Sequence, residues 1–115
     1  MRVAGVEAFV LMGTVLTLSL RETIAQLAIQ QGMACFAVIP PFVEAGELLS
    51  YSPHHAESVA RVASMVDRIL RGAKPAEMPF EYPSRYELVV NLKTAKAIGV
   101  SLSQSILLRA DRVVE

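Results

Sequence analysis

Apolar runs that alternate with helix-period segments dominate the first part of the sequence. Residues 6–12 and 34–39 are continuous apolar runs with β-branched and aromatic side chains, the composition of strands covered on both faces. Pro40 and Pro41 end the second run, because proline has no amide hydrogen to donate to a neighbouring strand. The two runs predict a pair of buried strands.

A helix is predicted between these two strands. Leu20, Ile24 and Leu27 recur on one helical face, and Gly32 is a typical helix terminator. Ser19, which is followed three residues later by a glutamate, predicts a capping box at the start of this helix. Because a strand–helix–strand crossover pairs its strands in parallel, we predict an α/β fold with a parallel, doubly wound sheet and flanking helices.

The middle of the chain predicts a third strand and one long helix. Residues 42–47 form a connecting segment, residues 47–51 are extended, and Ser52 followed by Pro53 is a typical helix start. The apolar side chains that follow recur on one helical face, which predicts a core-facing amphipathic helix: Val59, Val62, Ala63, Val66, Ile69 and Leu70.

The C-terminal part predicts one more strand and two helices. Gly72 ends the long helix, and the prolines of residues 73–84 predict an extended surface connection. A β-rich run at residues 86–91 passes into a helix that stops at Gly99, and a final helix is predicted at residues 104–114.

Composition limits the size of the protein and its partners. A chain of 115 residues with 53% hydrophobic content forms one domain at most, with an ample core. Basic and acidic residues number 11 each, so no long-range field attracts nucleic acid, and we predict no nucleic-acid partner. The apolar residues 8–20 are too few to span a bilayer and are interpreted as a strand and loop, not a signal peptide. A chain without such a signal is expected to stay cytoplasmic.

The sequence lacks recognisable catalytic, metal-binding and cofactor-binding patterns. His54 and His55 would point about 100° apart on a helix, and no carboxylate or thiol stands at ligand spacing from them. Cys35 lies in an apolar run and is interpreted as an inert core thiol. With no G-x-S-x-G turn and no glycine-rich phosphate loop, we predict a protein that is not an enzyme and binds no cofactor.

A binding site at the strand ends is the remaining possibility. Ligands of open α/β sheets bind at the carboxyl ends of parallel strands. The candidate residues at these ends are Gly13, Thr14, Phe42, Ser50, Tyr51 and Ser52. Tyr51 could stack on a ligand, and amides near Ser52 could receive a carboxylate at a helix start. Ser52 is equally well explained as a helix cap, and Tyr51 as an aromatic at the core edge.

Three segments, in the same order, resemble one known family. They are EAGELLSYSP at residues 44–53, a helix ending in RGAKPAEMP at residues 71–79, and the strand and helices of residues 86–115. Together they are similar to the C-terminal part of ABC-transporter substrate-binding proteins of the amino-acid type. The resemblance runs over residues 6–115, nearly the whole chain.

This resemblance implies a partial periplasmic-binding-protein-like fold of type I in a single truncated domain. Residues 1–49 correspond to a βαβ portion of the second lobe, residues 50–85 to a lobe crossing with the long helix, and residues 86–115 to the final strand and helices. The family is bacterial, periplasmic and non-catalytic, and binds an amino acid or similar small solute between two lobes for an ABC permease. By this analogy, Ser50, Tyr51, Ser52 and Asn91 belong to the crossings at the floor of the cleft.

The resemblance also implies consequences of the missing first lobe. We expect the isolated chain to bind solute weakly, since closure around a ligand needs two lobes. Apolar faces on the long helix and the final helix should be exposed, so we predict a homodimer or a higher homo-oligomer. Two other interpretations stay open at this point: a self-associating remnant without a ligand, and an α/β regulatory lobe that binds an effector.

Overall fold

A computed structural model describes residues 5–115, and the strands of this part form one mostly parallel sheet. In chain order, which is also their order in the sheet, they are β1 (Ala8–Leu11), β2 (Ala34–Ala37), β3 (Leu49–Pro53), β4 (Tyr86–Asn91) and β5 (Arg112–Val114). The pairs β1–β2, β2–β3 and β4–β5 are parallel. This sheet with its flanking helices confirms the predicted α/β architecture.

Helices connect the strands, and α4 and α5 end just before the predicted glycines. They are α1 (Val15–Ser19), α2 (Arg21–Gln30), α3 (Pro40–Glu44), α4 (His55–Leu70), α5 (Leu92–Ala97) and α6 (Gln104–Arg109), with a short 3-10 helix at Pro75–Glu77. Gly72 follows α4 with a φ of +101° and Gly99 follows α5 with a φ of +72°. These angles disfavour residues with a Cβ, which is why glycine ends both helices.

The capping box predicted at Ser19 is wrong, because two helices stand where one was expected. Thr14 caps α1: its Oγ1 accepts the Thr17 amide at 3.1 Å, and its own amide donates to Thr17 Oγ1 at 2.8 Å. Ser19 ends that helix, and its hydroxyl donates to the Leu16 carbonyl at 2.8 Å. The box therefore forms one helix earlier, between two threonines three residues apart.

Two further boundaries differ in the middle of the chain. Residues 42–47, predicted as a connection, contain most of α3, because Pro40 takes the first helical position, where a missing amide hydrogen costs nothing. Ser52 lies inside β3 and does not cap α4. The cap is His54, whose Nδ1 accepts the Glu57 amide at 3.4 Å.

The last predicted helix is also shorter than expected. Helix α6 ends at Arg109, and residues 112–114 form strand β5 on the edge of the sheet. Asp111 fixes this pairing twice, since its amide donates to the Leu88 carbonyl and its carboxylate accepts the Leu88 amide, each at 2.9 Å. A short strand is stabilised here by its neighbour and not by its own sequence.

Strand β1 is an edge strand and is not covered on both faces as predicted. Its burial alternates along the strand, and Val10 is 66% exposed. The fully buried side chains come instead from α3 and the inner strands, among them Phe42, Val43, Val89 and Val90. The core of the protein therefore lies between α2, α3 and strands β2 to β4.

The chain divides into two compact units. The described residues up to Ser52 and Glu87–Glu115 form the sheet unit, and Pro53–Tyr86 form the α4 unit. The predicted apolar stripe does form on α4, but this helix contributes no buried residue to a core in the described chain.

Candidate functional site

The end of β1 lies close to α3. A Cβ built on Gly13 would stand 3.2 Å from Val38 Cγ2 and 3.8 Å from Phe42 Cε2, so glycine allows the approach of these elements. Thr14, which follows it, is exposed and caps α1. Gly13 and the fully buried Phe42 therefore lie close together, and Thr14 follows Gly13 in the chain.

The predicted residues of β3 point to two opposite faces of the sheet. Ser50 and Ser52 are buried, at 0% and 5% exposure, whereas Tyr51 between them is 63% exposed. Successive side chains of a strand alternate between faces, so Tyr51 cannot share a wall with the two serines. Ser50 pairs with Ala37 of β2, so the carboxyl end of β2 lies beside the start of β3.

Asn91 is buried at the end of β4 and is held by three hydrogen bonds. Its Nδ2 donates to the Val43 carbonyl at 3.0 Å, and its Oδ1 accepts the Thr94 amide at 2.9 Å. Its amide donates to the Leu48 carbonyl at 2.8 Å. Asn91 thus caps α5 and ties β4 to α3.

Glu47 is a buried acid that the sequence analysis did not single out. It is 1% exposed, and neither of its carboxyl oxygens, nor the hydroxyl of Ser50, has a well-formed hydrogen bond within residues 5–115. Burial raises the pKa of Glu47, and burial together with the adjacent Glu47 carboxyl raises the pKa of the Cys35 thiol. Cys35 therefore stays a protonated core thiol. The sequence feature that could have indicated this buried acid is its position as a charged residue directly before the apolar pair Leu48 and Leu49.

An open depression of about 440 Å³ borders Asn91 in the sheet unit. Its walls carry charges of both signs, from Lys93, Glu44 and Glu115. Small-molecule sites typically measure about 300–1,000 Å³, so the depression has the size of such a site. Within the described residues, no group of three or more His, Cys, Asp or Glu side chains is placed to hold a metal ion. None of the helices in this part of the chain combines the length and the apolar character needed to cross a bilayer.

Comparison with known proteins identifies the family of the chain and several proteins with a similar fold. A family model described as ABC transporter substrate binding protein matches residues 2–114. The fold is similar to that of a conserved domain protein from Vibrio cholerae, with a TM-score of 0.83 and 21% identity. It is similar to an ABC domain from Streptococcus pneumonia in complex with L-Trp, with a TM-score of 0.84 and 24% identity.

A third similar structure is a ligand-free, open substrate-binding protein with adhesive properties from Clostridium difficile, with a TM-score of 0.69 and 19% identity. These matches cover 93–96% of this chain but only 36–38% of the three other chains. The chain therefore spans little more than a third of the length of these proteins, and the low identities establish a shared fold alone. No curated protein matches the sequence significantly.

Proposed function

The chain belongs to the ABC transporter substrate-binding protein family, and on that premise we propose that it serves as a non-catalytic solute-binding part of an ABC importer. The single observation that carries the proposal is the family match over residues 2–114. The partner is an ABC permease. Because this family is typically periplasmic or extracellular, the protein acts outside the cytoplasm.

The solute in this proposal is an amino acid or a similar small organic molecule. A structurally similar domain was solved in complex with L-Trp, which supports an amino acid as the first class to test.

The proposed contacts lie around α3, at the carboxyl ends of the strands. Gly13, Thr14 and Tyr51 are accessible and contact the solute directly. The four buried residues of the predicted site hold these contact residues in place. They are Phe42, Ser50, Ser52 and Asn91. Tyr51 extends from the face of β3 opposite to Ser50 and Ser52, so the proposed contact of the solute with Tyr51 is made on that face.

A titration with single amino acids, followed by amide chemical shifts of the labelled protein, tests this function. Chemical shifts register weak binding, which is what a chain covering about a third of its structural neighbours is expected to show. We expect at least one amino acid to change the amide chemical shifts of residues 13, 14 and 51. Tyr51→Ala should weaken binding about tenfold, since a stacked aromatic contributes about 1–2 kcal/mol.

Tyr82→Ala is the matched control, because Tyr82 is 84% exposed and belongs to the α4 unit, whereas the proposed contacts belong to the sheet unit. This variant should bind as the unchanged chain does. The proposal would be contradicted if no amino acid of the panel changed the amide chemical shifts. It would also be contradicted if Tyr51→Ala and Tyr82→Ala lost equal affinity for the amino acid.

A further inference from the structure

Helix α4 begins with a histidine in the capping position, where serine, threonine, aspartate and asparagine are the common residues. The Nδ1 atom of His54 accepts the Glu57 amide at 3.4 Å, and the backbone of His54 is extended. The oxygen of a serine or an aspartate accepts such a bond at neutral and mildly acidic pH, whereas an imidazole nitrogen accepts it only while that nitrogen carries no proton. The cap of α4 is therefore one that a proton can remove.

The backbone of His54 is held independently of its ring. The His54 amide donates to the Arg85 carbonyl at 3.0 Å. The His54 carbonyl accepts the amide and the hydroxyl of Ser58, each at 3.1 Å. The imidazole takes no part in these three hydrogen bonds. Loss of the bond between the ring and the Glu57 amide therefore frees the side chain of His54 while its backbone stays in place.

The Glu57 side chain offers a protonated His54 a different partner. Its carboxylate accepts from Arg61 at 2.9 Å and from the Ser84 hydroxyl. These hydrogen bonds from Ser84 and Arg61 lower the pKa of Glu57, and the charges of Arg61 and His54 act in the same direction. Glu57 therefore stays ionised in the range between about pH 5 and 8, where histidines of proteins change their charge.

A proton on the ring reverses its preference between the two groups of Glu57. The protonated imidazole has two donors and no acceptor, so it attracts the Glu57 carboxylate and no longer binds the Glu57 amide. The partial positive charge at the start of a helix disfavours a cation in the capping position as well. The amide of Glu57 then has to find its hydrogen bond in water.

The other charged groups of this part of the α4 unit do not replace Glu57 as the partner. Arg61 pairs with Glu81 at 3.6 Å in addition to Glu57. Arg85 gives the His54 amide its backbone carbonyl, and its side chain is exposed. His55 is exposed too, one position further along the chain. The only carboxylate that the described residues of α4 place in its first turn is Glu57.

We propose that His54 is a pH-sensitive cap of α4. The neutral ring accepts the Glu57 amide, and a proton taken up from water at Nδ1 breaks this hydrogen bond and turns the ring to the Glu57 carboxylate. The proton returns to water when the pH rises, and the cap forms again. The first turn of α4 therefore loosens in acid while the rest of the helix stays intact. The device is independent of solute binding, because its residues all belong to the α4 unit.

Exchange of the Glu57 amide hydrogen with water, followed by nuclear magnetic resonance of the full chain, tests the cap. Relative to the intrinsic exchange rate at each pH, we expect the protection of this amide to be about fivefold lower at about pH 5 than at about pH 8, the factor that corresponds to a typical cap of about 1 kcal/mol. His54→Asn keeps an acceptor that does not titrate and should protect the amide equally at both pH values. His54→Ala should lower the protection at both.

His55→Ala is the matched control, since it removes the neighbouring, exposed histidine and should leave the pH dependence unchanged. Nitrogen-15 spectra of the labelled imidazoles test the ring directly. At about pH 8 the proton of His54 should be on Nε2, because Nδ1 accepts the amide. Protection of the Glu57 amide that is equal at both pH values in the unchanged chain, the same loss in His54→Asn, or a proton on Nδ1 of His54 at the higher pH would overturn the proposal.

Discussion

At the scale of single residues, the buried Glu47 makes the stability of the fold depend on pH. Its carboxyl is buried beside the Cys35 thiol without a well-formed hydrogen bond, so ionisation in the folded state is unfavourable. The folded protein keeps a proton that the unfolded chain releases above about pH 4.3. The free energy of unfolding therefore decreases as pH rises from that value to the higher pKa of folded Glu47.

Glu47→Gln should remove this dependence. We expect the free energy of unfolding of the unchanged protein to fall by about 1.4 kcal/mol for each unit by which folding raises the pKa, while the variant stays flat over the same pH range. Urea unfolding between acidic and neutral pH measures the difference. Glu77→Gln, at an exposed position in the 3-10 helix, should keep the slope of the unchanged protein, and a common slope in all three proteins would refute the role of Glu47.

At the scale of elements, Arg61 organises the α4 unit. Its guanidinium donates to Glu57 at 2.9 Å, to the Tyr82 carbonyl at 3.2 Å and to the Ser84 hydroxyl, and Ser84 also bonds Glu57. The hydrogen bonds from Ser84 and Arg61 lower the pKa of Glu57. The chain after the 3-10 helix is thereby fastened to α4 although it contains no regular structure.

Arg61→Ala should release this segment. We expect amide exchange in residues 81–85 to become severalfold faster, because hydrogen bonds to Tyr82, Ser84 and Glu57 are lost together. Arg71→Ala is the control, since Arg71 pairs with Asp67 within the exposed helix surface and touches no other element through that pair. Unchanged exchange in Arg61→Ala would show that the segment is held by other contacts. Acid should act in the same direction as the variant, since protonation of Glu57 removes one acceptor of the network.

At the scale of the whole molecule, the sheet has an unprotected edge in the described residues. Strand β1 is short, apolar and without lysine or proline, and its residue Val10 is 66% exposed. Such edges can pair with other chains in an uncontrolled manner. The net formal charge of zero provides no repulsion between copies.

Val10→Lys should therefore slow aggregation at high protein concentration while leaving the free energy of unfolding within about 0.5 kcal/mol, as for other exposed positions. Light scattering and urea unfolding measure the two effects. Gln26→Lys adds the same charge on the exposed side of α2 and serves as the control. Equal protection by both lysines would attribute the effect to net charge and not to the strand edge.

Local signals in the sequence determined the order of the principal elements, the parallel α/β class and the family. The apolar runs, the helical period of α4 and the glycines at 72 and 99 act within a few residues. The runs formed strands, α4 formed as a helix and the glycines follow helix ends, although β1 is not covered on both faces and α4 buries no residue. The capping box was predicted at Ser19 and formed at Thr14, because two neighbouring capping patterns compete and their relative strength depends on the surrounding chain.

Only the tertiary structure decided the features that depend on distant partners. Strand β5 exists because Asp111 and residues 112–114 meet β4, and Ser52 belongs to a strand because β3 continues two residues further than its apolar pattern. The opposite orientations of Ser50 and Tyr51, the tie between Asn91 and α3, and the burial of Glu47 likewise arise from contacts between elements. A periodic pattern reports which side of an element prefers to be buried, but pairing and register decide what covers that side.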